Sequence, residues 1–338
     1  ITLGTSRATI WRSSAGIGAS GGQGGYPGPG RFDGGGRACQ DWHHRGTMMI
    51  LAFDIGGSRI RAAVWGGGRL HPLGEVATPT SDLRAFAEAI RGFAVRNVKG
   101  IAISIAGVVD PATGVGKVAN IPAIDGLALG PELKRVTGLP VLVLNDADCF
   151  ALAEASQGAG RGHGNVFGVI LGTGVGGGLV VGGRIVTGAG GFAGEWGHGP
   201  VIRGDLAFRC GCGQTGCVDT IGGARGLERL HKAQTGEVAG AEEIVAAWKA
   251  GEALARETLP LVRDLVSGPL AMVVNVVGAD VVPVGGGLSR AQGLVRYLDE
   301  AVRVRILRRT TAPLLVPAEC GADAGLLGAA MAGKAAWG

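Results

Sequence analysis

One arrangement occurs twice along this chain and restricts its fold more than any other feature. Ile50-Leu51-Ala52-Phe53 is a short apolar run, interrupted by Asp54-Ile55-Gly56-Gly57-Ser58. Arg59 to Trp65 resumes a strand, and Gly66-Gly67-Gly68-Arg69 turns the chain. Phe167 to Leu171 is again an apolar run, interrupted by Gly172-Thr173-Gly174, after which Val175 to Val181 resumes and Gly182-Gly183-Arg184 turns. Each copy reads as strand, small-residue hairpin with a hydroxyl, second strand and glycine turn. Asp54 and Gly172 stand 118 residues apart. A repeat of this size implies a duplicated α/β unit.

Hairpins of Gly and Ser or Thr leave backbone N–H groups exposed and let a phosphate approach closely. A single glycine hairpin is usually a structural turn. Two matching copies suggest a triphosphate held between two lobes. A third cluster, Gly285-Gly286-Gly287-Leu288-Ser289, follows the apolar strand Asp280 to Val284. It reads either as a tight turn or as a bare surface for an adenine ring or ribose. Glycine is abundant throughout, 66 of 338 residues against a usual share of about 7%. It has no G-X-Y period, which excludes collagen.

The remaining chain alternates β and α. Residues 82–95 are amphipathic, with Leu83, Phe86, Ala87 and Ile90 on one face. Val141 to Leu144 reads as a buried strand, followed by a helix that starts near Asp146. Residues 241–250, 253–277 and 323–336 read as helices.

Asn145-Asp146 falls where a strand ends and a helix starts, the end of a parallel sheet where ligands bind. Two readings compete there: a helix N-cap, which both residue types make well, and a carboxylate that takes a proton from a substrate hydroxyl. Further on, Gly191 to Gly199 is a glycine-rich loop carrying Glu195 and His198, and Cys210, Cys212 and Cys217 follow. Three thiolates and one imidazole make a tetrahedral zinc set, and four protein ligands make it structural rather than catalytic. Asp219, two residues beyond, would be positioned by the same loop.

Charge distribution narrows the partners. Residues 1–47 hold +3 of the net charge of +5, so the rest is nearly neutral and carries no footprint for nucleic acid or a membrane surface. Those 47 residues contain 13 Gly and no apolar run long enough for a secretory signal. They are expected to be a leader outside the folded protein. The apolar region Pro269 to Val284 is broken by Asn275 and Asp280 and falls short of the ~20 residues of a membrane helix. The uneven cysteines do not form a disulfide framework, and a reducing cytoplasm fits.

In order, Asp-Ile-Gly-Gly-Ser, Asn-Asp, Gly-Thr-Gly-Val-Gly-Gly-Gly, Gly-Glu-Trp-Gly-His and Cys-Gly-Cys-Gly-Gln-Thr-Gly-Cys resemble the ROK family of sugar kinases and related repressors, from about Met49 to Lys334. The wording of residues 145–154 and 170–188 is most similar to its bacterial N-acetylglucosamine kinases. The resemblance implies a two-lobed actin-like ATPase fold, related to ribonuclease H, with a cleft between duplicated α/β domains. The small lobe would comprise residues 48–149 and 319–338, and the large lobe residues 150–318. It further implies ATP and Mg²⁺, with Asp54, Gly56, Gly57 and Ser58 as the first phosphate loop and Gly172, Thr173 and Gly174 as the second. Gly285, Gly286 and Gly287 would lie near the adenosine. Asp146 matches the catalytic base, and Asn120, Asn145, Glu195 and His198 match sugar-binding positions. His198, Cys210, Cys212 and Cys217 match the zinc ligands.

Two departures stand out. Ser58-Arg59 replaces the family's usual Thr-Lys, keeping hydroxyl and charge. Asp219 stands where the family usually has a sugar-contacting Glu, one methylene longer. The expected activity is phosphorylation of a hexose 6-hydroxyl, with N-acetylglucosamine favoured over N-acetylmannosamine and glucose, in a cytoplasmic homodimer. A sugar-responsive repressor would need a helix-turn-helix ahead of residue 48, which the glycine-rich stretch cannot supply. A non-catalytic sugar sensor is the other alternative.

Overall fold

The computed structural model describes residues 48–338; the expected leader, residues 1–47, lies outside them. The first half opens with three antiparallel strands, β1 (Ile50–Ile55), β2 (Arg59–Gly66) and β3 (Arg69–Ala77). Gly67 and Gly68 join β2 to β3 with φ of +60° and +84°, the left-handed pair that a two-residue hairpin between twisted strands requires. Helix α1 (Leu83–Arg91) is capped by Asp82, whose side chain accepts the Arg84 N–H. Its apolar pattern runs on to residue 95, but the helix stops at Gly92, a poor helix former. Then come β4 (Gly100–Ile105), a small ribbon of β5 (Val108–Val109) and β6 (Gly116–Lys117), α2 (Leu129–Thr137), β7 (Val141–Asn145) and α3 (Asp146–Gln157).

The second half contains β8 (Asn165–Leu171), β9 (Val175–Val181), β10 (Arg184–Ile185), α4 (Asp219–Gly222), α5 (Ala224–Thr235), α6 (Ala241–Ala250) and α7 (Ala253–Val277). It ends with β11 (Val282–Gly285), α8 (Leu294–Arg303), β12 (Leu315–Pro317) and α9 (Ala324–Trp337). The sheet orders are β3-β2-β1-β4-β7 and β10-β9-β8-β11-β12. In both, the first three strands form an antiparallel meander and the last two add in parallel. The duplication legible in the hairpins therefore extends to the topology, and the fold is the two-lobed actin-like α/β type.

Helices α3 and α9 pack on each other; α9 lies against β1, β2 and β4, and α3 against β8 and β9. Their crossing is backbone on backbone, since a Cβ added to Gly328 would overlap the carbonyl of Cys149. Ile50, Ala52, Ala63 and Trp65 pack with Leu326, Leu327, Ala329 and Ala330 in the core between them.

Two expectations change. Every residue of β7 is half-buried rather than buried, because β7 is the edge strand of its sheet and only β4 pairs with it. Among the described residues one helix, over Ala255–Val277 rather than Pro269 to Val284, is long and apolar enough to cross a membrane by length and composition. Here Leu259, Val262, Val266, Leu270 and Val274 recur every three or four residues along α7 and enter the largest hydrophobic core. That stripe is what a core helix presents.

Candidate active site

The site is built around the first turn of α3. Asn145 ends β7, and its Oδ1 accepts the N–H groups of Ala147 and Asp148 at 2.7 and 3.1 Å. Its amide donates to the Gly107 carbonyl at 3.0 Å. The capping role thus falls to Asn145, with its oxygen turned into the helix. Asp146 is left with one side-chain hydrogen bond, from Ala147 N–H to Oδ1 at 2.9 Å. Burial raises the Asp146 carboxyl to about 6, and the carboxylates of Asp54 and Glu195 add to the rise. Those two charges act on it from opposite parts of the chain, β1 and the 191–199 loop.

Asp54 sits near the end of β1, before the first glycine hairpin. Ser104 Oγ donates to it at 3.1 Å and Arg61 stands 3.7 Å away. Burial raises its carboxyl while both contacts oppose the rise. A Cβ on Gly57 would stand 3.1 Å from that of Asn120, so the hairpin and Asn120 are in contact. Gly56 is half-buried, whereas Ser58 and Asn120 are exposed.

The second hairpin, Gly172 to Gly174, closes with Gly172 N–H donating to the Gly174 carbonyl at 3.0 Å. Ala224, opening α5, donates to the Gly172 carbonyl at 2.8 Å. A Cβ on Gly286 would stand 2.4 Å from the Leu171 carbonyl, so the third glycine cluster lies directly against the second. A cavity of about 570 Å³ opens there, lined by Gly172, Thr173 and Gly287 together with Glu242, Lys249 and Arg290. The last three were not anticipated. The sequence of α6 shows only an amphipathic helix, and nothing local marks which of its residues will face a hairpin seventy residues earlier. Gly285 instead packs on the Phe150 ring.

The 191–199 loop is pressed onto β9. Gly194 has φ of +88°, and a Cβ there would stand 2.5 Å from the Gly177 carbonyl. Trp196 Nε1 donates to the Gly176 carbonyl at 3.0 Å. This anchoring presents Glu195 and His198 side by side, His198 Nε2 lying 3.7 Å from Glu195 Oε2. The other ring nitrogen, Nδ1, faces Cys210 Sγ at 3.6 Å, and Cys212 and Cys217 have their sulfurs 3.7 Å apart. The four donor atoms lie within 4.8 Å of one another. A tetrahedron with 2.3 Å metal–sulfur bonds has edges of about 3.8 Å, so this set fits a tetrahedral metal. Both carboxylate oxygens of Asp219 have protein partners, Val175 N–H and Cys210 Sγ.

A duplicated actin-like fold, with a carboxylate on the first turn of α3 and two glycine hairpins, is shared with sugar kinases, and the chain is an ATP-dependent sugar kinase. The ROK family pattern matches residues 50–335, and the chain belongs to that family. It is 34% identical over 300 residues to the N-acetyl-D-glucosamine kinase of Pasteurella multocida, covering 83% of this chain and 98% of that one. It is 33% identical over 301 residues to an N-acetylgalactosamine kinase of a Shewanella species, covering 84% and 96%. Among solved structures it is similar to a ROK hexokinase from Thermus thermophilus, with a TM-score of 0.74, 34% identity, and coverage of 84% and 97%.

Proposed function

We propose that this kinase transfers the γ-phosphoryl group of ATP to the 6-hydroxyl of N-acetylglucosamine. Asp146 accepts the hydroxyl proton as the O6–phosphorus bond forms and the bond to the β-phosphate oxygen breaks, releasing ADP. The observation that carries this reading is that Asn145 takes over the helix cap, leaving the Asp146 carboxylate available and half-buried. Positioning and charge stabilisation supply most of the remaining acceleration.

In this reading Asp54, Gly56, Gly57 and Ser58 hold one side of the triphosphate and Gly172, Thr173 and Gly174 the other. Gly286 and Gly287 border the nucleoside, with Glu242, Lys249 and Arg290 around it. A half-buried carboxylate beside the phosphate loop suits a hard divalent cation, and Asp54 would help hold Mg²⁺, which supplies neutralisation of the phosphate charge. Asn120, Asn145, Glu195 and His198 line the sugar. His198, Cys210, Cys212 and Cys217 hold a structural zinc, and Asp219 acts by bracing that cluster.

The two kinase relatives support a 2-acetamido sugar, and their names differ in the sugar. The deciding experiment is ADP release with N-acetylglucosamine, N-acetylgalactosamine, N-acetylmannosamine and glucose. Phosphorylation of glucose well above the acetamido sugars would move the assignment to a glucokinase. That the five cysteines among the described residues are not paired in disulfides supports a cytoplasmic setting. A homodimer is the assembly we propose from family resemblance, measurable by light scattering. We assign residues 48–149 and 319–338 to the small lobe and 150–318 to the large one.

A further inference from the structure

Asp148 lies two residues beyond Asp146, on the first turn of α3. It is 4% exposed. Its Oδ1 is the single buried side-chain oxygen or nitrogen without a hydrogen-bond partner among the described residues. An ionised carboxylate in that position would forfeit the hydrogen bonds that make burial tolerable. Two charges act on it, those of Glu195, from the loop laid over β9, and of Asp146, on its own helix. Both are carboxylates. Asp54, from β1, adds a further negative charge behind Asp146. Four carboxyls therefore act on one another here, and the buried Oδ1 of Asp148 has no donor directed at it. A proton on Asp148 removes one charge from the cluster and turns the orphaned group into a donor with acceptors at hand.

We propose that Asp148 is kept as the neutral acid and donates its hydroxyl to the Glu195 carboxylate. It is thereby a positioning residue for the group that grips the sugar. The proposal rests on reading Glu195 as a sugar ligand. On its other side Glu195 meets His198 Nε2, so it is held from both the metal loop and α3. Burial, then Glu195, then Asp146 push the Asp148 carboxyl up to about 7. Below that pH the proton is in place. Above it, Glu195 loses a donor and gains a negative neighbour.

The test uses the full chain with MgATP and N-acetylglucosamine, from pH 6 to pH 8.5, in wild type, Asp148→Asn and Asp148→Ala. In wild type the sugar KM should rise above pH 7 while the ATP KM stays level. Asp148→Ala should raise the sugar KM about tenfold at pH 6.5, the loss of one hydrogen bond to a charged group. Asp148→Asn keeps a donor, so it should recover most of that loss and abolish the alkaline rise. A wild-type sugar KM that is flat with pH, or an Asn variant as damaged as the Ala variant, overturns the proposal. Melting temperatures give a readout independent of the sugar. A carboxyl raised on folding costs stability progressively as pH climbs from its unfolded value, about 3.9, towards about 7. The Asn variant should therefore gain on wild type across that interval and the gap should then level. A constant gap also overturns the proposal. Glu195→Gln separates the two readings: an unchanged sugar KM there removes Glu195 as the sugar ligand, whatever Asp148 does.

Discussion

Asp219 Oδ1 accepts the backbone N–H of Val175 at 2.8 Å, while Oδ2 lies 3.6 Å from Cys210 Sγ. One carboxylate thus joins the first residue of β9, just past the second glycine hairpin, to the thiol–imidazole cluster. Asp219→Ala should disturb both ends, raising the KM for ATP at least as much as that for the sugar. Steady-state kinetics with each substrate varied in turn will show it. A rise confined to the sugar would return Asp219 to direct sugar contact.

Asp146→Asn should abolish turnover while leaving sugar affinity nearly intact, because the amide keeps the shape but cannot take the proton. General-base contributions run at roughly 10²–10⁴-fold. Since Asn145 already caps α3, loss of the cap cannot account for such a drop. The wild-type kcat should rise with pH through about 6, where Asp146 loses its proton. Near-normal kcat in the Asn variant, with equilibrium sugar binding measured beside it, would remove the proposed base.

Cys212→Ala should lose one zinc per chain, measured by elemental analysis. The cluster holds His198, and His198 faces Glu195, so sugar affinity should fall more than ATP affinity. Zinc content near zero in the wild-type protein, with full sugar binding, would leave the four residues as a thiol cluster without a metal.

Gly286→Ala tests the third glycine cluster. With φ of +90° and the Leu171 carbonyl 2.4 Å from the added Cβ, the backbone must shift, at a cost of about 1–3 kcal/mol. Denaturant unfolding should register that loss. Because the shift bears on Leu171 and Gly172, the ATP KM should rise and the sugar KM should not. Equal change in both would mark the cluster as an ordinary turn.

Periodicity made part of this molecule legible. Helices α6 and α7 begin and end where the apolar spacing and flanking glycines place them, and β9 runs from Val175 to Val181 as read. Strand β3 escaped notice because Pro72 and Gly74 interrupt it and every one of its residues is half-buried or exposed. The burial of β7 depends on its place at the sheet edge, which pairing order sets and local sequence does not. Motifs singled out Asp54, Asp146, Glu195, His198 and the cysteines; the structure brings His198 against Glu195 and into the cysteine cluster. The motifs could not show that Asn145 would cap and Asp146 would not, since both residue types make good caps. Nor could they pick out Glu242, Lys249 and Arg290, which reach the hairpin only through tertiary packing.

The contact between β1 and α9 has a consequence for how the protein is made. Ile50, Ala52 and Trp65 are among the first of the described residues to leave the ribosome, and their cover, Leu326 to Ala330, is among the last. Until then one face of the opening sheet has nothing of its own to pack against, and exposed strands of this kind are prone to aggregate. Completion of the core beneath β1 and β2 is therefore tied to completion of synthesis. A product cut short before α9 should fail to form this core, even though both glycine hairpins are present.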